Sequence, residues 1–147
     1  MHQAGGEVVL VDGEDLAERV AQATGGSAIR LGIDAVAGSA TGRLAGCLAP
    51  GATLVSYGRM SGEPCSIAPD YLIFHDLSVR GFWLANWFRQ APERERDALL
   101  ERIAALIATG RLYAPIHATF DVSAIKDAVA AAASGGRSGK ILVVPRH

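Results

Sequence analysis

Apolar residues in this chain alternate between short unbroken runs and stretches in which they recur every three or four positions. Glu7-Val8-Val9-Leu10-Val11 is a β-branched run that stops at Asp12-Gly13, and Leu16, Val20 and Ala23 then follow at helical spacing up to Gly25-Gly26. A second apolar run, Ile29 to Val36, leads to Gly38; a short helical stretch with Leu44, Cys47 and Leu48 then ends at Pro50-Gly51. A third run covers Ala52 to Tyr57. The pattern predicts strand, helix, strand, helix, strand. Near-continuous apolar strands of this kind belong to a parallel sheet covered by helices on its faces, so the fold class is α/β.

Farther along, a proline offers a helix start before Asp70-Tyr71-Leu72-Ile73-Phe74, and Leu77 to Leu84 reads as a fourth strand. Pro92 to Gly110 is the clearest helix. Leu99, Ile103, Leu106 and Ile107 share one face there, and the charges of Glu93 to Arg96, Glu101 and Arg102 read as the solvated face. A strand around His117 to Phe120, a helix striped by Ile125, Ala128, Val129 and Ala132, and a strand from Lys140 to Val144 complete the chain.

The composition narrows the function classes. The 147 residues, 50% of them hydrophobic, suffice for one substantial core, and 14 basic against 15 acidic residues leave a net charge of -1. That balance gives no footprint for nucleic acid or an anionic membrane, and Arg, Asp, Gly or Pro interrupts every apolar run before it reaches the length of a spanning helix. Two cysteines, Cys47 and Cys65, cannot make a disulfide framework, and a cytoplasmic location is expected.

Ligands of parallel α/β sheets bind at the carboxyl ends of the strands. Three such ends are informative: Val36-Ala37-Gly38, Tyr57-Gly58-Arg59-Met60 and Gly81-Phe82-Trp83-Leu84. Glycine lets a backbone pass close to a flat ligand, exposed amides can hydrogen-bond it, and the aromatic pair supplies an apolar wall. A crevice for a planar ligand and plain turn packing are both open on this pattern. Ser134-Gly135-Gly136-Arg137-Ser138-Gly139-Lys140 is not a phosphate loop, because Ser134 replaces the first glycine, Ile141 replaces the hydroxyl residue and a strand follows. His75, His117, Cys47 and Cys65 lack metal-ligand spacing, and Asp34 shows no partner and is given no role.

Taken in order, Val36-Ala37-Gly38, Leu54 to Pro64 (LVSYGRMSGEP), Leu72 to Leu84 (LIFHDLSVRGFWL) and Gly139-Lys140-Ile141 resemble the C-terminal half of medium-chain dehydrogenase/reductases. The nearest branch is the zinc-independent one of NADPH-dependent 2-enoyl thioester (enoyl-CoA) reductases, with quinone reductases and alcohol dehydrogenases in the same superfamily. The resemblance implies the C-terminal part of a Rossmann-like doubly wound parallel sheet, followed by a strand-helix-strand that returns to a catalytic domain. It divides the chain into an incomplete cofactor-binding domain, 1–112, and a C-terminal segment, 113–147. It also implies NADPH (NADP) as cofactor, with Val36, Gly38, Tyr57, Gly58, Arg59, Met60, Phe82, Trp83, Leu84 and Lys140 as cofactor-binding residues, and no catalytic or metal residue in this stretch. Arg59 stands where the family has a second glycine, so a turn needing positive φ there would be strained. For Lys140 and Trp83 a solvated or packing role is open beside the cofactor role, and for Trp87 and Phe88 packing is the expected one.

No Gly-x-Gly-x-x-Gly occurs in these residues, and the catalytic tyrosine of the family belongs to a domain not seen in them. The chain is therefore expected to be a fragment, catalytically incomplete alone, contributing to reduction of an enoyl thioester in the complete enzyme. The missing first strands would leave an open sheet edge, which Glu7 to Val11 or another chain is expected to fill. The edge of strand 79–84 is expected to make a homodimer. A non-catalytic dimerisation remnant is the competing reading.

Overall fold

The computed structural model describes residues 5–145 and falls into two compact units, 1–90 and 91–147. The first contains α1 (Leu16–Thr24), β1 (Leu31–Asp34), α2 (Ser39–Gly46), β2 (Thr53–Ser56), α3 (Pro69–Ile73), β3 (Ser78–Gly81) and α4 (Leu84–Gln90). The strands form one parallel sheet in the order β1-β2-β3, with Gly32 opposite Leu54 and Leu54 opposite Val79. Consecutive parallel neighbours joined through helices are one wing of a doubly wound sheet.

The core of this unit is small and lies on one sheet face. Ala45, Leu48, Ala52, Leu54 and Leu77 are buried together, with Ile29, Leu44, Ile67 and Tyr71 packed against them. Gly32 makes the close approach of α2 and the residues after it possible: a Cβ on it would stand 3.4 Å from Leu44 Cγ and 3.1 Å from Leu48 Cδ1. α1 ends as its glycine punctuation predicts, with Gly25 left-handed at φ 61° and the Gly26 N–H returning to the Ala21 carbonyl at 2.8 Å. On the opposite sheet face Leu31 and Ile33 are 56% and 63% exposed, so β1 is not covered on both sides as the apolar run predicts.

Two expected strands are corrected. Glu7 to Val11 is not a strand, and β1 takes no ladder partner from it. The reason lies just beyond the run: the Arg43 guanidinium grips the Asp12 carboxylate from Nε at 2.7 Å and Nη2 at 2.5 Å, which ties this segment to α2 instead of the sheet plane. The expectation that the segment would close the sheet edge within the chain therefore fails. The fourth strand, expected over Leu77 to Leu84, is the shorter β3. Phe82 N–H still donates to Ser56 O at 2.9 Å, but the Trp83 carbonyl then accepts from Asn86 and Trp87, and the chain turns into α4. Trp83, Leu84, Trp87 and Phe88 have helical spacing, and in this segment that period prevails over the strand reading.

The second unit is α5 (Glu93–Ala108), β4 (Ile116–Asp121), a 3-10 turn (Val122–Ala124), α6 (Ile125–Ala133) and β5 (Lys140–Val144). β4 and β5 are parallel with α6 as their crossover, and the register slips between Ile116 and Ala118. Asp121 starts the crossover by accepting from Ser123 N–H at 2.9 Å and from the Ser123 hydroxyl at 2.5 Å. Among the described residues no helix is long and apolar enough to cross a membrane.

Candidate functional site

The carboxyl ends of β1 and β2 are organised by a buried carboxylate. Asp34, 4% exposed at the last position of β1, accepts through Oδ1 from the N–H groups of Val36 (2.8 Å) and Ala37 (3.1 Å). Its Oδ2 accepts from the hydroxyl of Thr41, in the first turn of α2, at 2.6 Å. Burial alone would raise the Asp34 pKa, but these three donors outweigh it and hold the carboxyl below the ordinary aspartate range. The wrapped loop places Ala37 at φ 66°, a left-handed conformation that costs an alanine about 1 kcal/mol. Glycine at 38 takes the next positive φ, 62°.

The Tyr57 to Glu63 turn is laced onto this loop. Tyr57 N–H donates to Asp34 O at 2.9 Å, Met60 N–H to Ala35 O at 3.1 Å, and Ser61 donates to Val36 O from both N–H (2.9 Å) and Oγ (2.7 Å). Gly58 is required by proximity, since a Cβ there would lie 2.7 Å from the Ala35 carbonyl oxygen. Arg59 has no positive φ, so the strain its side chain would suffer in a left-handed turn does not arise; that conformation falls to Gly62, at φ 76°. The Arg59 guanidinium folds back onto Gly62 O at 2.7 Å.

Between these loops lies a cleft of about 570 Å³ lined by Ala37, Ser56, Tyr57, Gly58, Arg59, Glu63, Pro64 and Cys65. That volume is within the range of small-molecule sites. Tyr57, Gly58 and Arg59 therefore meet in one place, while Val36 and Gly38 belong to the loop behind them and Met60 to the laced turn. Phe82 is tied to Ser56 at the neighbouring strand end. Trp83 precedes α4, 65% exposed, with the Arg89 guanidinium 4.8 Å from its ring centre, and Leu84 opens that helix. Trp87 and Phe88 pack edge to face at 5.1 Å. Lys140 belongs to the second unit, where it begins β5 and its N–H donates to Pro115 O at 2.7 Å.

Sequence reasoning missed Asp34, Ser56, Glu63 and Cys65. A carboxylate inside an apolar run, seven residues before Thr41, was the available signal for the first. Ser56 Oγ and Cys65 Sγ approach to 3.8 Å at the cleft wall. Cys47 lies outside this site, just after α2, with Sγ on the Arg43 carbonyl at 3.3 Å; burial, and then the charge of Asp12, push its thiol pKa up. A separate cleft of about 380 Å³ lies between the end of α1 and the segments Ser27–Ile29 and Gly46–Pro50, and it carries none of the expected site residues.

A family profile described as zinc-binding dehydrogenase matches residues 5–143. The chain belongs to that family. A curated relative of this zinc-binding dehydrogenase chain is the mitochondrial enoyl-[acyl-carrier-protein] reductase of Mus musculus, 41% identical over 86 residues, which are 58% of this chain and 23% of the mouse protein. The chain thus spans about a quarter of the length of the curated relatives it matches. Among solved structures, a mycobacterial quinone oxidoreductase superposes with a TM-score of 0.79 at 22% identity, over 98% of this chain and 44% of that one. The complex of Etr1p with NADP and crotonyl-CoA gives 0.72 at 20% identity, over 90% of this chain and 37% of that one. At those identities the structures establish the fold alone, a parallel α/β arrangement of the Rossmann type.

The family's description mentions zinc, and the residues do not fit that role. Among those described, no group of three His, Cys, Asp or Glu side chains could hold a metal ion. The cleft at the strand ends is lined instead by the Gly58 backbone, the ring of Tyr57 and the polar groups of Ser56 and Glu63.

Proposed function

We propose that this chain supplies the nicotinamide-side wall of the NADPH site in an oxidoreductase that reduces the C=C bond of 2-enoyl thioesters. The reading rests on one observation above all: the Tyr57-Gly58-Arg59 turn lines a cleft at the carboxyl ends of adjacent parallel strands, where this fold class binds cofactors. The name of the mouse relative, an enoyl-[acyl-carrier-protein] reductase, supports the substrate class.

NADPH, when bound, supplies the hydride for the β-carbon of the enoyl thioester. The chain's own residues position and shield. Gly58 lets the turn close onto the Ala35 backbone, and Tyr57 and Met60 offer apolar surface for a flat ring. Phe82, Trp83 and Leu84 extend that surface at the next strand end, and Val36 and Gly38 belong to the loop beside it. Arg59 serves through its backbone, while its guanidinium folds back to donate to Gly62 O.

The test is a titration of the 147-residue chain with NADPH, following tryptophan fluorescence. Saturable quenching that is lost on Trp83→Leu supports the site; no saturable binding at millimolar nucleotide overturns it. Crotonyl thioester that tightens NADPH binding, where a quinone or an alcohol does not, favours the enoyl reductase over a quinone or alcohol enzyme. No turnover by this chain alone is expected, and turnover would overturn the view that its role is confined to the cofactor wall.

A non-catalytic association module is favoured by a different observation: β1 and β3 are the two outer strands of their sheet, and Leu31 and Ile33 are exposed on β1. We place a homodimer contact on the 79–84 edge, and sedimentation of Arg80→Pro against the unchanged chain checks it. As to compartment, we propose the cytoplasm, whereas the mouse relative is named as mitochondrial; fractionation of source cells decides the matter.

A further inference from the structure

We propose that Asp34 is the positioning residue of the cofactor wall, acting through the loop it wraps and not by touching the ligand; the proposal rests on the NADPH reading above. Its two side-chain oxygens hold three donors from two different elements: the N–H groups of Val36 and Ala37 in the loop, and the Thr41 hydroxyl on α2. Its own carbonyl accepts from Tyr57. One residue thus fixes the loop after β1 relative to α2 and, by the backbone, the residue that opens the cleft.

The effect passes outward through hydrogen bonds. With the Val36 and Ala37 amides turned inward to Asp34, the carbonyls of Ala35 and Val36 are presented to the following turn, where Met60 N–H and both Ser61 donors meet them. The Glu63 N–H then donates to Ser61 Oγ at 3.2 Å, so the chain of contacts ends at a residue of the cleft wall. Without the carboxylate, two inward-facing amides and a fully buried hydroxyl lose their acceptor, and the left-handed turn at Ala37 loses what holds it. The loop then relaxes, and Tyr57 to Glu63 lose their template.

The roles separate experimentally. Asparagine keeps an acceptor for the two amides, and Thr41 Oγ can accept from its NH₂ group, so Asp34→Asn should retain the loop; Asp34→Ala should not. The readouts are amide exchange resolved by residue and NADPH affinity, both on the 147-residue chain. In Asp34→Ala, exchange at Met60 and Ser61 is expected to accelerate at least about tenfold, with that at Leu54 in the sheet interior unchanged, and NADPH affinity to fall about tenfold. Asp34→Asn should restore both to within about threefold. Thr41→Val removes one donor while leaving the carboxylate, and it provides a milder version, about threefold, should the alanine variant fail to fold.

Unchanged exchange at Met60 and Ser61 in the folded variants overturns the proposal. So does acceleration that is equal at Leu54, which would mark general destabilisation. Exchange that rises locally in a chain whose unmodified form binds no NADPH overturns the cofactor reading and leaves Asp34 as the organiser of the two loops.

Discussion

Gly58→Ala tests how closely the two strand ends approach. The added methyl would sit 2.7 Å from Ala35 O, 3.2 Å from Ala35 Cα and 3.3 Å from its carbonyl carbon, all backbone atoms that no rotamer change can move aside. Ordinary contact requires a separation of about 0.7 Å more at the oxygen, taking 3.4 Å as the threshold. That displacement lengthens two flanking bonds, Tyr57 N–H to Asp34 O (2.9 Å) and Met60 N–H to Ala35 O (3.1 Å). Two weakened hydrogen bonds at a net worth of about 1 kcal/mol each give about 2 kcal/mol, which falls in the usual range for overpacking. Trp83 and Trp87, the only tryptophans, both belong to the first unit, so fluorescence follows its unfolding. For a unit of this size the expected fall in melting midpoint is roughly 10 °C. Gly81→Ala, in the same unit, is the control: the nearest atom to its new methyl is Ser56 O at 4.0 Å and its φ is not positive, so its change should stay within about 0.5 kcal/mol. A Gly58→Ala midpoint within about 2 °C of the unchanged chain would refute the close approach, since a 2 kcal/mol cost cannot produce so small a shift.

Leu54→Ala removes a fully buried side chain from the centre of the small core and should cost about 3 kcal/mol in urea denaturation, the first unit losing its cooperative transition if its margin is smaller. Gly139→Ala drives a methyl into the Pro115 carbonyl and the amide of His117, so amide exchange along β4 and β5 should accelerate. Asp34 has a lowered pKa in the folded chain, so its contribution is fully present above the ordinary aspartate value and is lost as pH falls through the lowered one; acid titration of the fluorescence midpoint should show that loss, and Asp34→Asn should flatten it. Asp12 titrates in the same direction because of Arg43, but that pair is open to solvent and its part should fade with added salt. Ile33→Lys, on the open face of β1, should change stability by no more than about 0.5 kcal/mol, and a larger loss would reveal a partner covering that face.

The elements most legible in the sequence are those whose apolar period and end signals agree. β5 runs from Lys140 to Val144 as read, α5 lies within Pro92 to Gly110, and α1 stops at the Gly25-Gly26 pair. Glu7 to Val11 misled because a β-branched run records only a capacity for pairing. Whether it pairs depends on a neighbour, and here the Asp12–Arg43 clamp, 31 residues apart in sequence, sets the path. Trp83 misled in the other direction, since strand and helix periods overlap for a few residues and the helix used the overlap. The site was legible where it depends on backbone economy: Gly58 and its neighbours mark a strand end that must stay narrow. It was illegible where one polar side chain satisfies several backbone groups at once. Asp34 reads as an interruption of an apolar run, and only the three donors around it show why the run tolerates a charge. A buried carboxylate that satisfies two donors of its own loop and one of α2 acts as a structural hub, and the cleft formed by Tyr57 and Gly58 rests on that hub.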